Sequence, residues 1–508
     1  MAMFLVSLCL VAVIILYFVN NPLNHSRKFM IRRFVNWFPL GMSYAFLYMG
    51  RYNLNVAKNA MGDMMTKEQF GLIFAAGTIT YGLSFLLNGP IVDKIGGKKG
   101  IIIATLGAAI MNLCMGGATY LYLMGRLKTN MVVLFSILFA LNMFFQSYGA
   151  VSIIKVKAYW FHVRERGVFG AIFGTLISFG VYFAFDWGQA IVEASKLHPT
   201  DTSWFTRTIQ HLFAIDTLTT NATWLVFFIP SFLLICWALI DMVLLKDSPK
   251  EANFGDFDTA DASSGDDENV KITMKLVLKK VFSSPIMYTI ALVDFTSGVL
   301  RNGIMQWYLV FAHEMKDKDP VYYAGTEFFT KNWGLLLCLT GILGGFLAGM
   351  ISDRVFQSRR GPPAAINNMV MVILLLVMSF FLLRNPTIVG SVAVLMTLAV
   401  IGVHSLMSGT AAADFGGKKM TATASGIVDG CVYLGSGIQS LAIGYLSAKS
   451  WQYWPIFLIP FAIAGLILSL RMWNELPEAT KKYILKMEQE EAKKQGNAQS
   501  APLADPAT

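Results

Sequence analysis

In this chain of 508 residues 55% are hydrophobic and only 14% charged, and apolar runs of about 20 residues, enough to cross a bilayer, recur from end to end. That composition excludes a soluble globular protein, and the spans leave no room for a sizeable soluble domain. The formal net charge of +10 comes from Lys and Arg gathered in particular loops, so it does not indicate nucleic-acid binding.

The first apolar segment, Met3 to Val19, has no basic n-region and no small-residue cleavage site, which argues for an extra anchor helix over a signal peptide. The rival reading is an over-extended start, because Met30-Ile31-Arg32-Arg33 would open a twelve-helix chain. Twelve spans follow near 34–58, 69–92, 100–124, 131–155, 166–194, 222–246, 284–312, 332–354, 364–384, 388–412, 422–447 and 452–476. Basic clusters fall at 27–33, at Lys94, Lys98 and Lys99, and at Lys155, Lys157, Arg164 and Arg166. They recur at 271–280, at Arg354, Arg359 and Arg360, at Lys418 and Lys419, and from Lys481 onward. These occupy every second loop, which places those loops and the C-terminus in the cytoplasm. The predicted order is an extra helix and basic linker (1–33), a six-helix bundle (34–246), a cytoplasmic linker (247–283), a second six-helix bundle (284–476) and a tail (477–508), disordered beyond a short helix. Asp256, Asp258, Asp261, Asp266, Asp267 and Glu268 mark the linker as solvated.

Arg51 and Arg301 lie within spans, one in each half. A guanidinium at membrane depth stays charged and costs at least a few kcal/mol, so it is functional by default. Two in matching positions suggest a clamp for an anion; ion pairing with a neighbouring helix is the bland alternative. Around the first, Tyr44, Tyr48, Arg51, Asn55 and Lys58 recur at intervals of three and four and form one polar stripe, with Lys58 near the outer end as a snorkelling or steering charge. The five cysteines, Cys9, Cys114, Cys236, Cys338 and Cys431, all sit in apolar segments without ligand spacing. With no metal ligands, no nucleophile–base set and no phosphate-cradling glycine loop, neither a metal, a cofactor nor an enzyme is expected.

The chain repeats itself. Gly89-Pro90-Ile91-Val92-Asp93-Lys94, with Lys98-Lys99 behind it, returns as Gly349-Met350-Ile351-Ser352-Asp353-Arg354, with Arg359-Arg360 behind it. The two aspartates are 260 positions apart and the two arginines 250, as two halves of the same internal order require. This duplicated loop resembles the signature of the major facilitator superfamily. The resemblance implies an all-α membrane fold of two six-helix bundles related by a pseudo-two-fold axis. It also implies a cytoplasmic gating motif of Gly89, Asp93, Lys94, Lys98, Asp353 and Arg354, whose charges bridge helix ends and latch one state.

A narrower resemblance, to the organophosphate:phosphate antiporters, covers most of the core. Its pieces are Arg51-Tyr52-Asn53-Leu54-Asn55-Val56-Ala57, Arg164-Glu165-Arg166-Gly167, Lys246-Asp247-Ser248-Pro249, Leu300-Arg301-Asn302-Gly303-Ile304 with Trp307, and Tyr433-Leu434-Gly435. The resemblance implies that Arg51 and Arg301 jointly bind the phosphate of a small organophosphate, such as glycerol-3-phosphate, in exchange for inorganic phosphate, with Tyr44 and Tyr48 nearby. It further implies a functional monomer in a bacterial inner membrane. The chain departs from that family in its fifth helix, where Phe173-Gly174 and Ile177-Ser178 replace Trp-Asn and His-Asn. Ser178, Tyr182, Asp186, Gln189 and Glu193 share a face there instead. Asp186, Asp294 and Asp429 are expected to line the pore with Tyr433, Asp294 tempering the charge of the arginines; His404 reads as a satisfied structural histidine. The alternatives are a proton-coupled symporter of another anion, for which the extra acids argue, and a transport-poor sensor.

Overall fold

A computed structural model describes residues 2–162, 165–255, 257, 283–411 and 421–475. The acidic part of the linker, Arg164, Lys418, Lys419 and the tail from 476 lie outside these residues. Those described are helical. The chain runs α1 (Ala2–Val19), α2 (Arg27–Met61), α3 (Lys67–Ile95), α4 (Gly97–Leu123), α5 (Met131–Trp160), α6 (Arg166–Tyr182) and α7 (Gly188–Ala194). It continues through α8 (Trp204–Leu212), α9 (Leu225–Leu244), α10 (Pro285–Met305), α11 (Trp307–Lys318) and α12 (Pro320–Lys331). Last come α13 (Trp333–Arg354), α14 (Gly361–Phe381), α15 (Pro386–His404), α16 (Thr421–Lys449) and α17 (Tyr453–Arg471). Local sequence sets the ends: Thr66 and Gln69 form a reciprocal capping box at α3, and Asn130 and Asn385 cap α5 and α15 with their side chains.

Among the described residues ten helices are long and apolar enough to cross a membrane, which with the fold below makes this an integral multi-pass membrane protein. The helices α2 and α10 are not among the ten. They carry Arg51 and Arg301, and their polar faces are buried inside the bundle rather than shown to lipid. The short α8 and α12 lie in loops where no helix was expected; Asp319 caps α12 by accepting from the Tyr322 N–H at 3.0 Å, with Pro320 at its first position.

The pseudo-two-fold is visible in the packing. In the first half α2 packs on α6 and α9, α3 on α5, and α4 on α5 and α9. In the second, each of these has its counterpart: α10 on α16 and α17, α13 on α15, and α14 on α15 and α17. The halves meet along two symmetry-related seams, α3 with α16 and α6 with α13. Small residues permit the closest approaches. A Cβ on Gly82 would stand 2.7 Å from the Gly430 carbonyl oxygen, and one on Gly71 would strike the Ser440 carbonyl. The extra helix α1 packs outside the bundle, with Phe4, Leu8, Val11 and Ile15 exposed. Its Tyr17 hydroxyl donates to the Met30 carbonyl at 2.9 Å and accepts from Arg33 Nε at 3.0 Å.

Candidate functional site

The two arginines converge on one ring from opposite halves. Arg51 Cζ stands 5.5 Å and Arg301 Cζ 5.7 Å from the centre of Tyr433. The Tyr433 hydroxyl accepts from Arg51 Nη1 at 2.8 Å, so a residue of α16 holds a residue of α2 across the pseudo-axis. Tyr48 and Tyr81 face the same guanidinium at 4.6 and 4.4 Å. These aromatic faces stabilise a cation without consuming its N–H groups. Close packing of α10 on α16 makes the convergence possible: a Cβ on Gly298 would strike the Val432 carbonyl and one on Gly435 the Phe295 carbonyl.

The far edge of Arg51 is held by a chain of amides. Arg51 Nε donates to Gln146 Oε1 at 3.1 Å, Gln146 Nε2 to Asn142 Oδ1 at 3.1 Å, and Asn112 Nδ2 to the same Asn142 oxygen at 3.2 Å. Asn53 Nδ2 closes the chain on Asn112 Oδ1 at 2.8 Å. The guanidinium is thereby oriented with one edge free. Among the described residues Arg51 Nη2, Arg301 Nε and Nη2, and both amide atoms of Asn55 have no hydrogen-bond partner. Arg51 is 1% exposed and Arg301 6%. Buried guanidinium N–H groups left unpaired in one place are costly, and such a cluster is the mark of a site built for a ligand with several acceptor oxygens.

Tyr44, Tyr48, Arg51 and Asn55 are all buried on α2, with Tyr44 stacked edge-on to Tyr48 at 5.4 Å. Asp294 and Asp429 lie in the second half of the site, both facing His404. No ion pair joins Asp294 to Arg301; its Oδ1 faces His404 Nδ1 at 3.4 Å, and Asp429 Oδ1 faces His404 Nε2 at 3.8 Å. The histidine read as merely structural stands between two acids. Asp186 is a correction. It sits in a π-helical turn, Phe183–Trp187, and both its oxygens accept from the first backbone N–H groups of α13, Gly334 at 2.7 Å and Leu335 at 3.1 Å. The carboxylate caps a helix of the other half, where the helix dipole favours it, instead of facing the pore.

The duplicated loop holds its acids within their own halves. Lys155 Nζ donates to Asp93 at 2.8 Å and Arg360 Nη1 to Asp353 at 2.6 Å, while Lys98 donates its backbone N–H to Asp247 and its Nζ to the Met242 carbonyl, both at 2.7 Å. Gly89 and Gly349 have open space beside them. At the opposite end the halves are joined: Lys67 Nζ donates to Glu314 and to the Ser447 carbonyl, both at 2.8 Å, and Asp186 caps α13.

Sequence reasoning missed Gln146, Tyr81 and the buried bidentate pair of Arg33 with Glu165, whose two bonds measure 2.9 Å each. It also missed Asp241, which accepts from Ser43 Oγ at 2.5 Å. Only Gln146 carried a signal, since Asn142 and Gln146 are spaced as one polar face on an apolar helix. Among the described residues no group of three or more His, Cys, Asp or Glu could hold a metal ion.

Residues 40–440 match the model of the Major Facilitator Superfamily. The chain is 22% identical over 453 residues to the glycerol-3-phosphate transporter of Bacillus subtilis (strain 168), an alignment covering 85% of this chain and 90% of that one. It is 24% identical over 463 residues to the membrane sensor protein UhpC of Salmonella typhimurium, covering 89% and 94%. Among solved structures it is similar to a bacterial homologue of the human lysosomal transporter Spinster in an inward-facing, unoccupied conformation. The TM-score there is 0.66 at 13% identity, with 88% of this chain and 98% of that one covered, which speaks to fold alone.

Proposed function

Since the chain belongs to the Major Facilitator Superfamily, and so to membrane transporters rather than enzymes, we propose that it exchanges a small organophosphate, glycerol-3-phosphate or a near analogue, for inorganic phosphate by alternating access. The observation that carries this reading is the pair of buried guanidiniums, one from each half, with unpartnered N–H groups meeting over Tyr433. Planar forks match phosphate oxygens two at a time, and two opposed forks balance a dianion without a metal. Their placement between the halves is where a rocking carrier needs its substrate, so that each half contributes one cation and the anion is shared as the halves reorient. The glycerol-3-phosphate transporter of Bacillus subtilis, alike over most of both chains, supports the substrate class. The basic loops and the C-terminus are placed in the cytoplasm of a bacterial inner membrane, the carrier working as a monomer.

The sensor UhpC, alike over a similar length, favours one other reading, a protein that binds organophosphate and transports little. Proteoliposomes loaded with unlabelled phosphate distinguish the two. An exchanger takes up labelled phosphate rapidly and saturably, and external glycerol-3-phosphate competes. A sensor binds the same anion with no counterflow above empty vesicles.

A further inference from the structure

We propose that Asp294, His404 and Asp429 form a proton-binding site, and that its occupancy by a proton is linked to occupancy of the arginine pair by an anion. The identity of that anion rests on the reading above; the proton site rests on its own geometry. His404 ends α15, with Nδ1 3.4 Å from Asp294 Oδ1 and Nε2 3.8 Å from Asp429 Oδ1. A neutral imidazole donates from one nitrogen only, whereas a protonated ring donates from both, one to each carboxylate. Asp294 is fully buried, and among the described residues its Oδ2 and His404 Nδ1 have no hydrogen-bond partner. A buried acid with one oxygen unpartnered and an imidazole nitrogen with no hydrogen bond face each other, two groups that a single proton would join. Ser297 Oγ donates at 3.2 Å to the same Asp294 oxygen that faces the ring, and Ser408 Oγ at 3.1 Å to the Asp429 oxygen that faces it, fixing the carboxylates at either side of the imidazole. The Asp429 side chain is 26% exposed, so the cluster is open to proton exchange on that side.

Among the described residues the other charged and titratable groups facing the cluster are Arg301 from α10, Cys431 from α16 and Tyr81 from α3. Among them Arg301 is the permanent charge, and it opposes a proton on His404. An anion seated on Arg301 cancels that opposition. Asp294 precedes Arg301 by seven residues, about 10 Å along the helix. At an effective dielectric constant of about 20, one unit charge at that distance changes proton affinity roughly tenfold, and a dianion changes it more. By reciprocity the proton strengthens anion binding by the same factor. The carrier then moves a proton with its anion, and exchange of like for like hides this because equal proton loads travel both ways.

Two measurements test the proposal. Purified protein in weak buffer at about pH 7.5 receives glycerol-3-phosphate, which is already a dianion there because its second ionisation lies about pH 6. A pH-indicator dye then reads proton uptake while binding is followed separately. Wild type takes up a substantial fraction of a proton per anion bound. His404→Gln still binds the anion, up to about tenfold more weakly, and takes up none. Uptake unchanged in His404→Gln, or absent in wild type that binds the anion, overturns the proposal. If neither glycerol-3-phosphate nor inorganic phosphate binds, the organophosphate reading falls, and side-chain NMR of histidine-labelled protein decides the proton site by itself. The His404 ring signal then changes with pH, and the change is displaced in Asp294→Asn. A His404 signal unresponsive between about pH 5 and 9 overturns the proposal too.

Discussion

At the scale of single residues, the guanidinium fork is the proposed instrument of recognition. Arg51→Lys and Arg301→Lys keep the charge and lose the bidentate geometry, so each should reduce phosphate counterflow at least a hundredfold while the protein still reaches the membrane folded. Wild-type exchange in either variant would place the anion elsewhere. Tyr433→Phe removes the hydroxyl that accepts from Arg51 Nη1 in the empty site; a hydrogen bond to a charged group contributes about 1.5–3 kcal/mol, so phosphate efflux without a counter-anion should rise about tenfold or more while exchange persists. Glu165 lies just before α6, outside the span. Burial acts to raise its carboxyl, but the hydrogen bonds and charge of Arg33, with His25 beside it, outweigh burial and hold it below the ordinary carboxylate range. A depressed carboxylate stabilises the fold above its unfolded pKa, so the contribution is complete at neutral pH and fades below about pH 4. Glu165→Gln should cost about 3–5 kcal/mol at pH 7, read from denaturant titration in detergent, and much less in strong acid. Of these residues Arg51 and Arg301 were legible because a charge inside an apolar run is conspicuous alone. Arg33 and His404 were not, because each takes its meaning from partners far along the chain: Glu165 for Arg33, Asp294 for His404.

At the scale of elements, hydropathy located the spans and the duplicated loop gave their order, since both signals are local. The breaks within helices were not legible. The π-helical turns at Phe183–Trp187 and Ser405–Ala411 and the interruption at Gln306 carry no proline; the first packs on α13 of the other half, the second on helices of its own half. Asp186 was misplaced for that reason: a uniform helix put it on a polar face with Ser178 and Tyr182, whereas the wider turn aims it at α13. The seam between α3 and α16 gives a test at this scale. A Cβ at Gly71 meets the Ser440 backbone, which has no rotamer to yield, so Gly71→Ala must part the two helices. Cross-linking between Glu68→Cys and Ala448→Cys, both exposed near that end, should fall severalfold in Gly71→Ala relative to a Gly71 control. Unchanged cross-linking would mean that the seam absorbs the methyl group.

At the scale of the whole molecule, the halves are fastened at the end that carries Lys67, Glu314 and the capped start of α13, while among the described residues Asp93 and Asp353 pair within their own halves. Lys67→Ala combined with Asp186→Ala removes both fastenings, and the balance should move toward opening at that end. Spin labels at residues 68 and 448, with the five native cysteines replaced, should report a longer distance in the double variant; an unaltered distribution would assign the closure to the remaining contacts between the halves, the glycine seam among them. Among the other bonds that span the halves, one has a consequence that reaches beyond geometry. Tyr433 ties the second half to Arg51 of the first through a hydrogen bond that has to be surrendered whenever the halves swing apart. An anion gripping both arginines supplies a replacement at that moment, and an unloaded carrier has none. In the proposed exchange idle turnover is slow, and a membrane containing many copies of this protein would not leak its phosphate reserve down the concentration gradient. Tightness against wasteful slippage would come from a tyrosine hydroxyl.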